Sequence, residues 1–220
     1  MAGRAAAPAQ ADSIAPLWPN AAPGLRLPVL GSVWVLDHED GGPVLVRLKF
    51  LPTSYNGHGA SNFFKEQAAP FIYRPKGTVE IAGAAASVRL HDLRPVFFIR
   101  SLDTSAVSDS ESPSQTTNAQ TDLSLVDMKT KKDMRILAGI SYAPWGGHAK
   151  READAVTMDV KTLPGNEWVR WQPLQDLQPG QYGITALPRG QGLFPDSIYD
   201  FAIDPSAAPN ADAVKPSQSK

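Results

Sequence analysis

Residues able to do chemistry gather in two places along this chain. The first is Tyr142-Ala-Pro-Trp145-Gly-Gly-His148-Ala-Lys-Arg151, two aromatic rings, a histidine and two cations on a glycine-containing loop. Flat rings on a loop can stack on a sugar or another planar ligand when a rigid scaffold presents them. Tyr142, Trp145 and His148 are therefore the candidate ligand contacts, although such a loop also serves to cap the open end of a sandwich core. The second place is Asp37-His38-Glu39-Asp40-Gly41-Gly42. Carboxylate and imidazole ligands suit a divalent cation, which makes Asp37 and Asp40 the metal candidates. Solvated charge is the ordinary condition of a hairpin tip, and no metal is assigned there.

No catalytic signature accompanies these groups, and no residue is given a catalytic role. The four histidines, His38, His58, His91 and His148, have no His-Glu-x-x-His spacing. Ser61 follows Gly59-Ala60 without the strand–Gly-x-Ser-x-Gly–helix setting of a nucleophile. Cysteine is absent, which excludes disulfides, thiolate catalysis and cysteine-based metal sites. No cofactor is implied. A net charge of −1 argues against a nucleic-acid partner, because neutralising phosphates needs a positive surface. A hydrolase pairing His58 or His148 with an Asp or Glu from neighbouring loops stays open, since such groups can meet in space without a signature.

The elements that would position these groups are strands. Trp168 to Asp204 is the most legible stretch. Val169 and Trp171 alternate with Arg170 and Gln172, the period-2 pattern of a half-buried strand. Leu177-Gln-Pro179-Gly180-Gln-Tyr182 follows. Pro179 presets φ for a turn, Gly180 is expected to take the positive φ of a type II turn, and Tyr182 opens a strand with Ile184 and Ala186. The pattern resembles the tyrosine corner of Greek-key sandwiches, in which the phenol bonds backbone a few residues upstream. Ile198 to Ile203 makes a further strand, with Tyr199, Phe201 and Ile203 on one face and Asp200 on the other.

Earlier in the chain, Val33–Leu36 and Val44–Phe50 flank the acidic Asp-Gly-Gly turn as a hairpin. Phe63 to Ala68 is expected as a short helix capped by Ser61 or Asn62. Val96-Phe-Phe-Ile99 is apolar on both faces, as in a central strand covered on both sides. Residues 101–121 are rich in Ser, Thr, Asp and Asn and read as an exposed insertion. The fold class that follows is all-β, an immunoglobulin-like Greek-key β-sandwich with an N-terminal β-hairpin extension and flexible termini. Its expected divisions are an Ala/Pro-rich arm over 1–28 and a sandwich domain over 29–204. Within the latter, 29–75 is hairpin and short helix and 76–204 the core. A disordered tail is expected over 205–220.

No apolar run approaches the ~20 residues that span a bilayer. Ala9-x-Ala11 before Asp12 matches the end of a signal peptide, while the apolar stretch that should precede it is missing. Secretion or a periplasmic location is the expectation.

Several stretches resemble a family of predicted secreted bacterial proteins of the Acidobacteria type. They are Asn56-Gly-His-Gly-Ala-Ser-Asn62, Thr78-Val-Glu-Ile-Ala-Gly83, Pro95-Val-Phe-Phe-Ile-Arg100, Lys131-Lys-Asp-x-Arg135, Leu177-x-Pro-Gly-x-Tyr-Gly183 and Ile198-Tyr-Asp-Phe201. The resemblance spans about residues 44–203. It implies the sandwich fold and export, and brings no activity with it. The function expected is a non-catalytic module for protein binding or surface assembly, with a protein or cell-surface polymer as partner. Carbohydrate binding through the aromatic loop and an unsignatured hydrolase are the alternatives.

Overall fold

The structure, a computed structural model, describes residues 19–28, 33–58, 76–100, 123–141, 150–152, 154–165, 167–186 and 197–216. The expected helix over 63–68, the insertion over 101–121 and the loop residues Tyr142, Trp145 and His148 lie outside them. In chain order the strands are β1 (Asn20–Ala22), β2 (Leu25–Arg26), β3 (Val33–Glu39), β4 (Gly42–Arg47), β5 (Lys49–Pro52), β6 (Ser54–Asn56), β7 (Lys76–Ala82), β8 (Arg89–Leu90) and β9 (Val96–Arg100). They continue with β10 (Leu123–Lys131), β11 (Met134–Ser141), β12 (Lys150–Glu152), β13 (Asp154–Val156), β14 (Met158–Thr162), β15 (Trp168–Pro173), β16 (Gly180–Ala186) and β17 (Ser197–Ile203). The described residues are thus all-β, and none of their elements is a helix long and apolar enough to cross a membrane.

Two principal sheets carry the fold. Five strands run β14-β15-β9-β3-β4, all antiparallel. Ten belong to a second sheet with the path β5-β17-β16-β10-β11-β7-β6, to which β8, β12 and β13 add at the sides. Val33, Val35, Val46, Phe97 and Trp171 of the first sheet meet Leu125, Tyr182, Ile184 and Phe201 of the second in the main core. The central strand β9 is covered on both faces, as its apolar run requires. Phe97 and Ile99 face the main core, while Phe98 joins Trp34, Leu45 and Trp168 under the β1–β2 ribbon.

The larger sheet turns on itself at β10, whose first half pairs with β16 and β13 and whose end pairs with β11. Val79, Ile81, Leu137 and Ile140 from β7 and β11 therefore pack with Val126, Met128 and Ile198 from β10 and β17. At this seam Arg135 of β11 donates to the Asp200 carboxylate at 2.5 Å, and its Nε donates to the Gly83 carbonyl at 3.0 Å. Both side chains are at most 2% exposed. Gly183 sits opposite Asp200, and a Cβ there would lie 2.0 Å from Ile198 Cδ1. Only a glycine lets Ile198 cross the strand at that point.

Tyr182 closes the corner expected of it: its hydroxyl donates to the Gln178 carbonyl, four residues upstream, at 2.8 Å. Its ring stacks on Phe201 with centroids 5.7 Å apart. Gly180, by contrast, does not take the positive φ of a type II turn. It already lies in β16, paired with Ile203, so the chain enters the strand extended after a bend at Pro179 and the phenol holds the corner.

Both termini depart from expectation within the described residues. The arm forms the β1–β2 ribbon from Asn20, with Leu25 and Leu27 buried. Residues 205–216, expected as disordered tail, return across the sandwich, and Val214 exchanges two backbone bonds with Leu45 at 2.8 and 2.9 Å. Composition made this segment look unstructured. It is held by partners supplied from β3, β4 and β8, which local composition does not reveal.

Candidate functional site

The acidic hairpin builds the centre of the site. Strands β3 and β4 are joined by Asp40 and Gly41, with φ of 50° and 80°. A two-residue loop with both central residues at positive φ matches the twist of a hairpin. Because the loop is that short, pairing continues to Glu39↔Gly42, and Asp37 and Glu39 belong to β3. Strand periodicity then places Val33, Val35, Asp37 and Glu39 on one inward face. Asp37 is 0% exposed and Glu39 4% exposed, so the reading of these two as a solvated tip does not hold.

Asp37 is satisfied by the segment entering from β8. One carboxylate oxygen accepts the backbone N–H of Asp92 at 2.9 Å, and both accept that of His91 at 3.0 Å. The His91 ring continues the arrangement. Its Nδ1 lies 2.9 Å from Asp37 Oδ2, and its Nε2 lies 3.0 Å from the Ala207 carbonyl. A carbonyl oxygen and a carboxylate accept and do not donate, so the protonated ring, with an N–H on each nitrogen, satisfies both contacts. Burial alone would lower the His91 pKa. The bonds to Asp37 and Ala207 and the nearby Asp37 and Glu39 charges overcome that and hold it above the ordinary value.

Glu39 clamps the same returning segment one turn on. Its Oε1 accepts the Asn210 backbone N–H at 2.8 Å and the Asn210 side-chain N–H at 2.9 Å. Asn210 also donates to the Arg89 carbonyl at 2.7 Å and accepts the Arg89 backbone N–H at 3.2 Å. Asp37, Glu39 and His91 offer ligand-type atoms within 4.8 Å of one another. The donor set does not fit a cation well. Asp37 is saturated with N–H donors, and both His91 nitrogens face acceptors. Of the polar atoms of these three side chains, Glu39 Oε2 alone is buried without a partner among the described residues. When protonated, His91 supplies the positive charge that balances the two carboxylates. Asp40 lies apart from this set, its exposed carboxylate 3.7 Å from Lys215.

The clamped segment forms one wall of a cleft of about 290 Å³. The opposite wall is the point where the chain leaves β4 for β5 and so changes sheet. Leu48 turns inward there, and Arg47 and Lys49 turn out on either side of it. The buried Val46 and Val88 lie behind the cleft, Ala208, Pro209 and Ala211 give it apolar surface, and Ser87 and Arg89 border it. Arg89 leans on Asp204 at 3.5 Å. Arg47, Lys49 and the Ser87 hydroxyl have no side-chain partner among the described residues, and Asp212 is the only carboxylate among the lining residues.

Two other polar clusters were not legible as sites. His58 Nε2 lies 3.0 Å from Thr78 Oγ1, and the Thr78 hydroxyl donates to the Glu80 carboxylate. With its one proton committed to Glu80, Thr78 accepts from His58, so the imidazole is not placed to activate that hydroxyl. A second cleft of about 270 Å³ lies where β10 parts from β11 and brings Asp127 opposite Asp154. Burial, and next the Asp154 charge, raise the Asp127 pKa. The aromatic loop is anchored at its base by the Ser141↔Lys150 pair. Tyr142, Trp145 and His148 lie outside the described residues. No family model, curated protein or solved structure matches this chain.

Proposed function

We propose that this chain is a non-catalytic β-sandwich module of the immunoglobulin-like, Greek-key kind. It works outside the cytoplasm, secreted or at the envelope, and holds a protein or a cell-surface polymer. The observation that carries the reading is the way polar groups are spent. Asp37 and His91 are committed to each other and to backbone, one Glu39 oxygen to Asn210, Arg135 to Asp200, and Thr78 to Glu80. Acid–base catalysis needs a titratable group free to exchange a proton with substrate, within reach of a second group. What the first cleft leaves open are the cations Arg47 and Lys49, which suit the holding of an anion. Export rests on the Ala9-x-Ala11 pattern.

The test is co-sedimentation of the full chain with envelope and cell-wall preparations, run beside hydrolysis assays on chromogenic esters and glycosides. Saturable binding without turnover is expected. Turnover abolished by His58→Ala or His148→Ala would replace this reading with the hydrolase. Binding lost in Trp145→Ala alone would favour a carbohydrate site on the Tyr142–His148 loop.

A further inference from the structure

We propose that the cleft between the β4–β5 crossing and the returning segment 208–212 is an oxyanion site. It takes a carboxylate or phosphate carried on a compact organic body. The inference rests on the binding-module reading and names the group that the partner presents.

Three features of the cleft point the same way. The first is unpaired charge: Arg47 and Lys49 stand at its mouth without an ion-pair partner among the described residues, in a chain whose net charge is −1. A guanidinium presents a planar fork that matches two oxygens of a carboxylate or phosphate, and an ammonium adds a point charge. The second is the mixed lining. The Ser87 hydroxyl is an open donor beside the cations, while the exposed Ala208, Pro209 and Ala211 of the far wall give apolar surface. Small-molecule sites combine an apolar lining with a few polar groups that set orientation. The third is construction. The far wall is pinned by Glu39 to Asn210, by His91 to Ala207 and by Leu45 to Val214. A preorganised wall reduces the ordering cost of binding. Its volume of about 290 Å³ suits one monomer unit, either free or as part of an acidic polymer.

The experiment is calorimetric titration of the full chain at low salt with galacturonate, galactose, inorganic phosphate and polygalacturonate. Galacturonate or phosphate is expected to bind at least about tenfold more tightly than neutral galactose, a difference of roughly 1.4 kcal/mol. The Arg47→Gln/Lys49→Gln variant should lose that preference while keeping its melting temperature. Asp212→Asn, which removes the opposing charge, should tighten binding about two- to threefold, the scale of one exposed charge pair. A galacturonate preference carried over to polygalacturonate identifies an acidic polymer as the source, and a phosphate preference identifies a phosphorylated one. Equal binding of galactose, an unaltered preference in the double variant, or no oxyanion binding at about 10 mM, the range of the weakest specific sites, overturns the proposal. Envelope co-sedimentation that persists in the double variant would leave the binding-module reading standing and this site refuted.

Discussion

Two arginines show the contrast that organises this molecule. Arg135 is buried at the seam of the larger sheet and bound to Asp200 and to the carbonyls of Gly83 and Ala82. Arg47 stands at the cleft with no side-chain partner among the described residues. The same guanidinium is a structural fastening in one place and an open binding group in the other. Placement decides between them: a charge enclosed by two halves of a sheet must be matched, whereas a charge at a sheet-to-sheet crossing is solvated at little cost. The His91 clasp stands between the two. It is satisfied like Arg135, yet it shapes the wall that Arg47 faces.

Breaking the buried side of this contrast should have the largest effect. Arg135→Met leaves the Asp200 carboxylate enclosed and unpaired, and should destabilise by about 3–5 kcal/mol. Pairing it with Asp200→Leu should return much of that loss, because no orphaned charge remains. Urea midpoints of the two variants read the difference directly; equal losses would show that the pair is not electrostatically closed.

Next comes the clasp. Asp37→Ala removes the acceptor of two backbone N–H groups and of the imidazolium, and should cost about 1.5–3 kcal/mol. The clasp also has a pH signature of definite sign. The folded pKa of His91 is raised, so its stabilisation is fully present below the ordinary histidine value of about 6.5 and is lost as pH rises through the folded pKa. Asp37, Glu39 and the more distant Asp204 surround it from β3 and from the returning segment. Unfolding of the wild type should therefore become easier from neutral towards alkaline pH by an increment that His91→Gln lacks. A parallel pH profile in the variant would remove His91 from that role.

Tyr182→Phe deletes the bond to Gln178 and leaves that carbonyl without the phenol; about 1–2 kcal/mol is expected, checked by thermal unfolding. The smallest effect belongs to the open side. Arg47→Gln with Lys49→Gln should stay within about 0.5 kcal/mol of the wild type, since exposed charges without partners contribute little. A larger stability change would show that these residues are fastened and not available, and would erase the contrast with Arg135.

Much of the architecture was legible because strand signals are local. Val33-Trp-Val-Leu and Val96-Phe-Phe-Ile became β3 and the doubly covered β9, and Tyr182 found its upstream carbonyl four residues away. Elsewhere local signals misled. Asp37 and Glu39 looked like solvated tip residues because three acids preceded two glycines. The two-residue loop instead extended β3 past them and turned them inward. Gly180 looked like a turn glycine and proved to be a strand residue. His91 was one scattered histidine among four, and nothing adjacent to it in sequence marks its partners.

By itself, then, the sequence determined the β content, the main hairpin, the tyrosine corner and the lack of any thiol chemistry. Each of these follows from residue type and from spacings of a few residues. The tertiary structure alone decided the clasp and the cleft. Asp37 and His91 are 54 positions apart, and Glu39 and Asn210 are 171 apart. Contacts at such separations depend on which strands become neighbours and on where the chain changes sheet. Neither composition nor periodicity encodes that, because each reports only the faces a segment presents and not what is brought to meet them.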